Sequence, residues 1–221
     1  NDVNDMVYDH KGALWIVTGD GFCKLDTATL VVTETYGNSK SRKDVLLSEY
    51  CRAIDVDGDN KLWIGTQKGL TRFDPVSKTA IKYSTADGIS NSGIIHLVVD
   101  KNDNVWMNTQ NGVSVYRKDI KAFQNFFKED GLPQNSLEGK FDKDEEGVIY
   151  LTDAGIVMTI DPDKIPFNKS KPVVLITDAM IKDQHSPIEL NSKGEKYLAT
   201  NYASNSFVVN FAVLNYNSPK L

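Results

Sequence analysis

Apolar residues along this 221-residue chain fall in short runs, separated by clusters of Gly, Asn, Asp and Pro. The stretch 51–84 shows the unit. Cys51 to Val56 reads as a first strand, and Asp57-Gly58-Asp59-Asn60 as a turn in which Gly and Asn tolerate positive φ. Leu62 to Thr66 is an apolar run rich in β-formers, expected of a strand buried on both faces. Gln67-Lys68-Gly69 turns the chain back into a third strand, Leu70 to Phe73. Asp74-Pro75 ends that strand, because Pro cannot donate to a ladder, and Ala80 to Ser84 makes a fourth.

The same unit occurs four times. Trp15, Trp63, Trp106 and Tyr150 anchor it at spacings of 48, 43 and 44 residues. Six residues before each anchor stands an aspartate: Asp9, Asp57, Asp100 and Asp144. Thr18, Thr66 and Thr109 follow the tryptophans at the third position. Gly21, Gly69 and Gly112 follow at the sixth, with Gly155 one residue early in the last copy. Asp26, Asp74 and Asp161 come soon after those glycines, whereas Arg117 breaks the pattern in the third copy. Tyr36, Tyr83 and Phe127 close the first three copies.

Four-stranded units repeating every ~40 to 50 residues predict an all-β fold made of β-propeller blades. One blade has two apolar faces and buries them only by stacking on neighbours, so the anchor tryptophans are expected to pack between blades. The predicted blades are 1–47, 48–91, 92–135 and 136–165. Propellers close with about four to eight blades, so these four are expected to be part of a larger ring, with the face of 1–36 left for self-association or for a preceding segment. The chain begins at Asn1 rather than Met, as expected of a processed or excised piece.

After Asp161 the pattern changes. Pro162, Pro166 and Pro172 punctuate a linker, and 166–221 then reads as strands at Val173 to Lys182, Ile188 to Leu190, Tyr197 to Ala199 and Phe207 to Val213. These predict the beginning of an Ig-like β-sandwich, incomplete at Leu221.

Composition narrows the function more than the fold. The net charge of −5 argues against a nucleic-acid surface, and the basic spot Lys40, Arg42 and Lys43 is too short to reverse that. No apolar run approaches the ~20 residues that cross a bilayer. Cys23 and Cys51 are too few for a disulfide scaffold, and two small buried side chains are expected rather than a bridge. Asp55, Asp57 and Asp59 imitate a calcium loop, but Asn60 and Thr66 occupy the positions that need Gly and Glu, so a hairpin turn is expected. His10, His96 and His185 form no ligand pair, and His96 is expected as a core residue near the propeller axis. Catalytic, metal-binding and cofactor motifs are all missing from the pattern.

The block Asp57-Gly58 through Leu62-Trp63-Ile64-Gly65-Thr66, then Gly69-Leu70-Thr71-Arg72-Phe73-Asp74, resembles the two-component regulator propeller repeat. Asp87-Gly88-Ile89 and Asp130-Gly131-Leu132-Pro133 resemble its lead-ins. Phe211-Ala212-Val213-Leu214-Asn215-Tyr216 looks like the β-sandwich that follows such propellers. Val17, Met107-Asn108 and Tyr150-Leu151-Thr152-Asp153 depart from the repeat. The resemblance implies the periplasmic sensor region of a hybrid two-component histidine kinase. Such receptors usually carry two seven-bladed propellers, the sandwich, a membrane helix, a kinase and a response regulator, and many sense oligosaccharides. It implies further that catalysis lies outside this chain, that the parent protein is membrane-anchored, and that it dimerises through the sandwich.

Blade geometry places the candidate ligand site. The turn between strands two and three and the link from strand four to the next blade should emerge on one face, where loops commonly hold sites. That face collects Asp20, Gln67, Lys68, Gln110 and Asn111 from one loop set, and Arg42, Tyr50, Arg52, Asn91, Ser92, Asn135 and Ser136 from the other. Of these, Arg42, Tyr50, Arg52, Lys68, Asn91, Gln110 and Asn135 carry the groups that recognise sugar hydroxyls. A docking scaffold for another protein and a lyase-type propeller enzyme are the alternatives.

Overall fold

The computed structural model describes residues 2–37, 45–153, 155–165, 173–181, 184–185, 189–190, 196–197 and 207–214. The chain divides into two compact units, Asn1–Ile165 and Pro166–Leu221. In the first, four antiparallel sheets follow one another in sequence, each a simple meander. The first sheet is β1 (Val3–Tyr8), β2 (Leu14–Thr18), β3 (Gly21–Asp26) and β4 (Val31–Gly37). The second is β5 (Cys51–Val56), β6 (Leu62–Thr66), β7 (Gly69–Phe73) and β8 (Ala80–Tyr83). The third is β9 (Ile94–Val99), β10 (Val105–Thr109), β11 (Gly112–Arg117) and β12 (Ala122–Phe126). The fourth holds three strands among the described residues, β13 (Phe141–Lys143), β14 (Ile149–Asp153) and β15 (Ile156–Ile160), where the repeat predicts four.

The recurring residues make recurring bonds. In each sheet the anchor aspartate accepts the anchor's polar hydrogen: Trp15, Trp63 and Trp106 donate Nε1–H to Asp9, Asp57 and Asp100 at 2.9–3.0 Å, and the Tyr150 hydroxyl reaches Asp144 at 2.9 Å. The other carboxylate oxygen caps the first turn, taking the N–H groups of Lys11 and Ala13 in one copy and of Asp59 and Lys61 in the next. Burial pushes the Asp9 carboxyl up, but the Trp15 indole and the Ala13 and Lys11 N–H groups outweigh it and hold the group below its usual range. Asn60, not Gly58, takes the left-handed conformation in the second turn, at φ +59.

The threonine and glycine of the repeat close the second turn. Thr66 and Thr109 donate to the carbonyls of Gly69 and Gly112 at 2.8 and 3.0 Å and accept from Lys68 and Asn111. A Cβ on Gly21, Gly69 or Gly112 would lie 2.0–2.5 Å from a carbonyl of the adjacent fourth strand, and all three have positive φ. Asp87-Gly88 and Asp130-Gly131 end short 3-10 turns with the glycine left-handed, and they deliver Ile89 and Leu132 to buried positions.

Successive sheets pack face to face. Trp15, Val17, Phe22 and Tyr36 of the first meet Cys51, Ile54, Leu62, Ile64 and Phe73 of the second. Trp63 and Leu70 of the second meet Ile94, Leu97, Met107 and Tyr116 of the third. Trp15 and Trp63 therefore sit between sheets, as the repeat predicts, and all three tryptophans donate a hydrogen bond that packing alone does not require. β6 and β10 are buried at every residue, whereas β2 and β14 keep half-buried positions.

The first strands lie side by side: β1 against β5, β5 against β9, and β9 against β13. Side chains staple them across the gaps. Asp5 accepts the N–H of Ile54 at 2.9 Å, Asp55 that of Val99 at 2.7 Å, and His96 Nδ1 that of Phe141 at 3.2 Å. At the opposite end of the strands the first turns are linked in series. His10 donates its N–H to Asn60, Gly58 to Asp103, and Lys101 bonds the carbonyl of Glu146.

Neither cysteine is bridged. Cys51 is buried and its thiol is pushed up to about 12 by that burial, while Cys23 is only half-buried, short of the full burial expected from sequence. In the second unit, β16 (Val173–Ile181) pairs with β17 (Gln184–His185) and β20 (Phe207–Leu214), and β18 (Glu189–Leu190) pairs with β19 (Lys196–Tyr197), all antiparallel. β17 was not legible in the sequence; it is a two-residue return of β16.

Candidate ligand-binding face

The two loop sets meet at each junction between sheets. Gln67, on the β6–β7 turn, donates its N–H to the Tyr50 carbonyl, and Gln110, at the equivalent place on β10–β11, donates to Gly93 at 3.1 Å. Gly112 likewise donates to the Asn135 carbonyl. Because each sheet is a simple meander and the first turns are linked in series at the other end of the strands, these junctions lie at the same end of the successive sheets.

The predicted residues do not gather into one site; they divide among three junctions. Tyr50 and Lys68 come together between the first and second sheets. With Gly19, Leu46, Leu47, Ser48 and Glu49 they line an open cleft of about 450 Å³. Arg52 is placed in strand β5 rather than in a loop, with its guanidinium 5.5 Å from the centre of the Tyr50 ring. Asp20 is exposed on the β2–β3 turn of that junction. Arg42 lies outside the described residues.

The second junction holds Asn91, Ser92 and Gln110. Asn91 spends its amide oxygen on the Gly93 N–H at 2.9 Å, shaping the loop. Gln110 lies over Gly93, where a Cβ would come within 2.9 Å of its amide group. Ser90 nearby bonds Ser114 and Thr109. The third junction holds Asn111, Asn135 and Ser136, and Asn135 gives its side-chain oxygen to the Lys128 N–H at 2.7 Å. Asn91 and Asn135 thus serve loop architecture, whereas Tyr50, Lys68 and Gln110 remain exposed.

Gly19, Leu46, Leu47, Ser48 and Glu49 are not among the residues that the sequence singles out. A signal existed in the repeat. Tyr50 stands where the next copy has Gly93, and Gly19 stands where later copies have Gln67 and Gln110. A large residue exchanged for a small one, with a compensating small residue beside it, marks this junction as different. A Cβ on Gly19 would lie 3.6 Å from the Tyr50 ring, so the two residues pack. Among the described residues no group of three or more His, Cys, Asp or Glu is arranged to hold a metal ion. No helix of the described residues is long and apolar enough to cross a membrane.

Solved structures with this arrangement of sheets are informative. The extracellular domain of a protein described as a hybrid two-component system of B. thetaiotaomicron superposes with a TM-score of 0.65 at 24% identity, over 96% of this chain and 29% of that one. A second such extracellular domain from the same organism gives 0.57 at 20% identity, over 84% and 24%. This chain has the fold of those extracellular domains. Its sequence is also 27% identical to Histidine kinase P4 of Formosa agariphila over 98% of the chain, which spans 16% of that relative's length. Virginiamycin B lyase of Staphylococcus aureus shares the fold at 14% identity and a TM-score of 0.52, over 89% of this chain and 69% of the lyase. No protein-family profile matches the chain.

Proposed function

We propose that this chain is part of the extracytoplasmic ligand-sensing region of a hybrid two-component sensor kinase, and that the ligand is an oligosaccharide. The observation that carries the reading is the joint likeness, in sequence to a histidine kinase along nearly the whole chain and in fold to extracellular domains of hybrid two-component systems. Exposed Tyr, Lys and Gln side chains on the loop face support a hydroxyl-rich ligand, since each offers a directed polar group beside apolar surface. In this reading the region faces the periplasm, catalysis belongs to a kinase elsewhere in a membrane-anchored protein, and no cofactor is used. The second unit joins two copies and passes the ligand signal on.

Isothermal titration calorimetry of the full extracellular region against a broad panel of plant and host oligosaccharides tests this. Micromolar binding of one class is the expected outcome; silence across the panel would sink the proposal. The fold shared with virginiamycin B lyase favours a propeller enzyme as a second reading, and turnover of a polysaccharide in the same mixtures would establish it. A protein partner that co-purifies independently of glycan would favour a docking scaffold instead.

A further inference from the structure

We propose that the cleft beside Tyr50 receives the anionic group, a carboxylate or a sulfate, of an acidic oligosaccharide. This rests on the saccharide-sensing reading above and commits it to a charge class and a junction.

The argument starts from how the arginines are used. Arg72 pairs with Asp57 at 3.1 Å and Arg117 with Asp119 at 2.9 Å. Arg52 has no such partner among the described residues. Its guanidinium lies against the Tyr50 ring instead. Stacking holds the planar group in place while its N–H edges stay available, and those edges match the two oxygens of a carboxylate or sulfate. Because the ring already restrains the guanidinium, less side-chain entropy is lost when an anion binds.

A second cation and a cavity stand at the same place. Lys68 lines the cleft, exposed and without a carboxylate partner among the described residues, whereas Lys61, Lys118 and Lys143 are each ion-paired. An unpaired surface cation alone decides nothing. Here Lys68 lines a cleft of about 450 Å³, large enough for a sugar residue, and Arg52 lies against Tyr50, a second lining residue that is 42% exposed. In the lining itself Lys68 faces one carboxylate, Glu49, and Arg52 adds a second cation beside Tyr50. Ser48 adds a hydroxyl, and Gly19 keeps the floor open where other copies carry glutamine.

The test uses the whole chain, with 15N spectra of its four arginine side chains (Arg42, Arg52, Arg72 and Arg117) and titration calorimetry. The probes are a hexuronate oligosaccharide, a sulfated one, a neutral one of matched linkage, and inorganic sulfate. The expected result is a shift of the Arg52 Nε–H signal and acidic over neutral binding by roughly tenfold to a hundredfold, the worth of one or two charge-assisted hydrogen bonds. Arg52→Gln should erase that preference and Arg52→Lys should retain only part of it. Lys68→Gln should weaken it, Glu49→Gln should strengthen it, and added salt should shrink it. Thermal melts of each variant separate lost binding from lost fold.

Neutral and acidic ligands binding alike, with Arg52→Gln indifferent, would overturn the inference while leaving saccharide sensing intact. Sulfate shifting Arg52 while no oligosaccharide binds more tightly than sulfate would keep the anion site and remove the saccharide reading. An Arg52 signal unmoved by every acidic probe would overturn the inference outright.

Discussion

Asp57 is 1% exposed, yet its carboxylate serves four partners: the Trp63 indole, the N–H groups of Asp59 and Lys61, and the Arg72 guanidinium. Removing the carboxylate leaves a buried indole N–H and a half-buried guanidinium without it. Asp57→Ala is therefore expected to cost about 3–5 kcal/mol, read as a fall in the urea midpoint. Glycine positions sort by the same kind of local accounting. Gly69→Ala places a methyl 2.3 Å from the Tyr83 carbonyl at φ +136 and should cost more than about 2 kcal/mol. Gly155→Ala, at φ +85 with nothing within 4 Å, should cost only the ~1 kcal/mol of a left-handed alanine. Equal losses in the two variants would refute the distinction. The recurrence of these residues is visible in the sequence; their bonds are not, because the aspartate and its tryptophan lie on opposite arms of a hairpin.

Among the strands, the staple between β9 and β13 is the pH-sensitive one. His96 Nδ1 accepts from Phe141, so the bonded form is neutral, and its Nε2 faces Asp5 Oδ2 at 3.8 Å. Burial is the leading influence and lowers its pKa. Asp5 opposes that effect, Lys140 adds to it, and Asp55 and Asp142 oppose it further. Lys143, bonded to Asp55 and to the Val99 carbonyl, completes the charged surroundings. With the native pKa below 6.5, the contribution of His96 is complete above pH ~6.5 and is lost as pH falls from there towards the depressed native value. Urea unfolding between pH 7.5 and 5 should show a steeper loss for the wild type than for His96→Gln, at roughly equal ionic strength. Parallel curves would remove His96 from the account. The sequence placed His96 on a first strand near the axis, but its role as the counterpart of Asp5 required seeing that both accept from the following sheet.

Across the first unit, equivalent positions carry different loads. Met6 and Ile54 both stand three residues before the anchor aspartate, yet Met6 is 59% exposed and Ile54 4%. Ile54 packs against the tryptophan-bearing face of the first sheet. Ile54→Ala is expected to cost about 2–4 kcal/mol and Met6→Ala under about 0.5 in this chain, measured by thermal melts. Loop positions diverge in the same way. Asn91 and Asn135 each give their amide oxygen to a loop N–H group, whereas Tyr50 and Lys68 share an open cleft.

The repeat, its all-β character and the residues at its fixed positions are local properties. Hydrophobic period, turn chemistry and spacing are written along the chain and need no partner to be read. Which polar group is used up by the fold and which remains for a ligand is a different matter. That depends on what the neighbouring sheet presents across each junction, a distance of 44 to 49 residues in sequence and about 3 Å between the bonded atoms. Arg52 and Tyr50 are neighbours in sequence, but only the tertiary structure left Arg52 without a carboxylate among the described residues and set Tyr50 beside Lys68 and Gly19 in an open cleft.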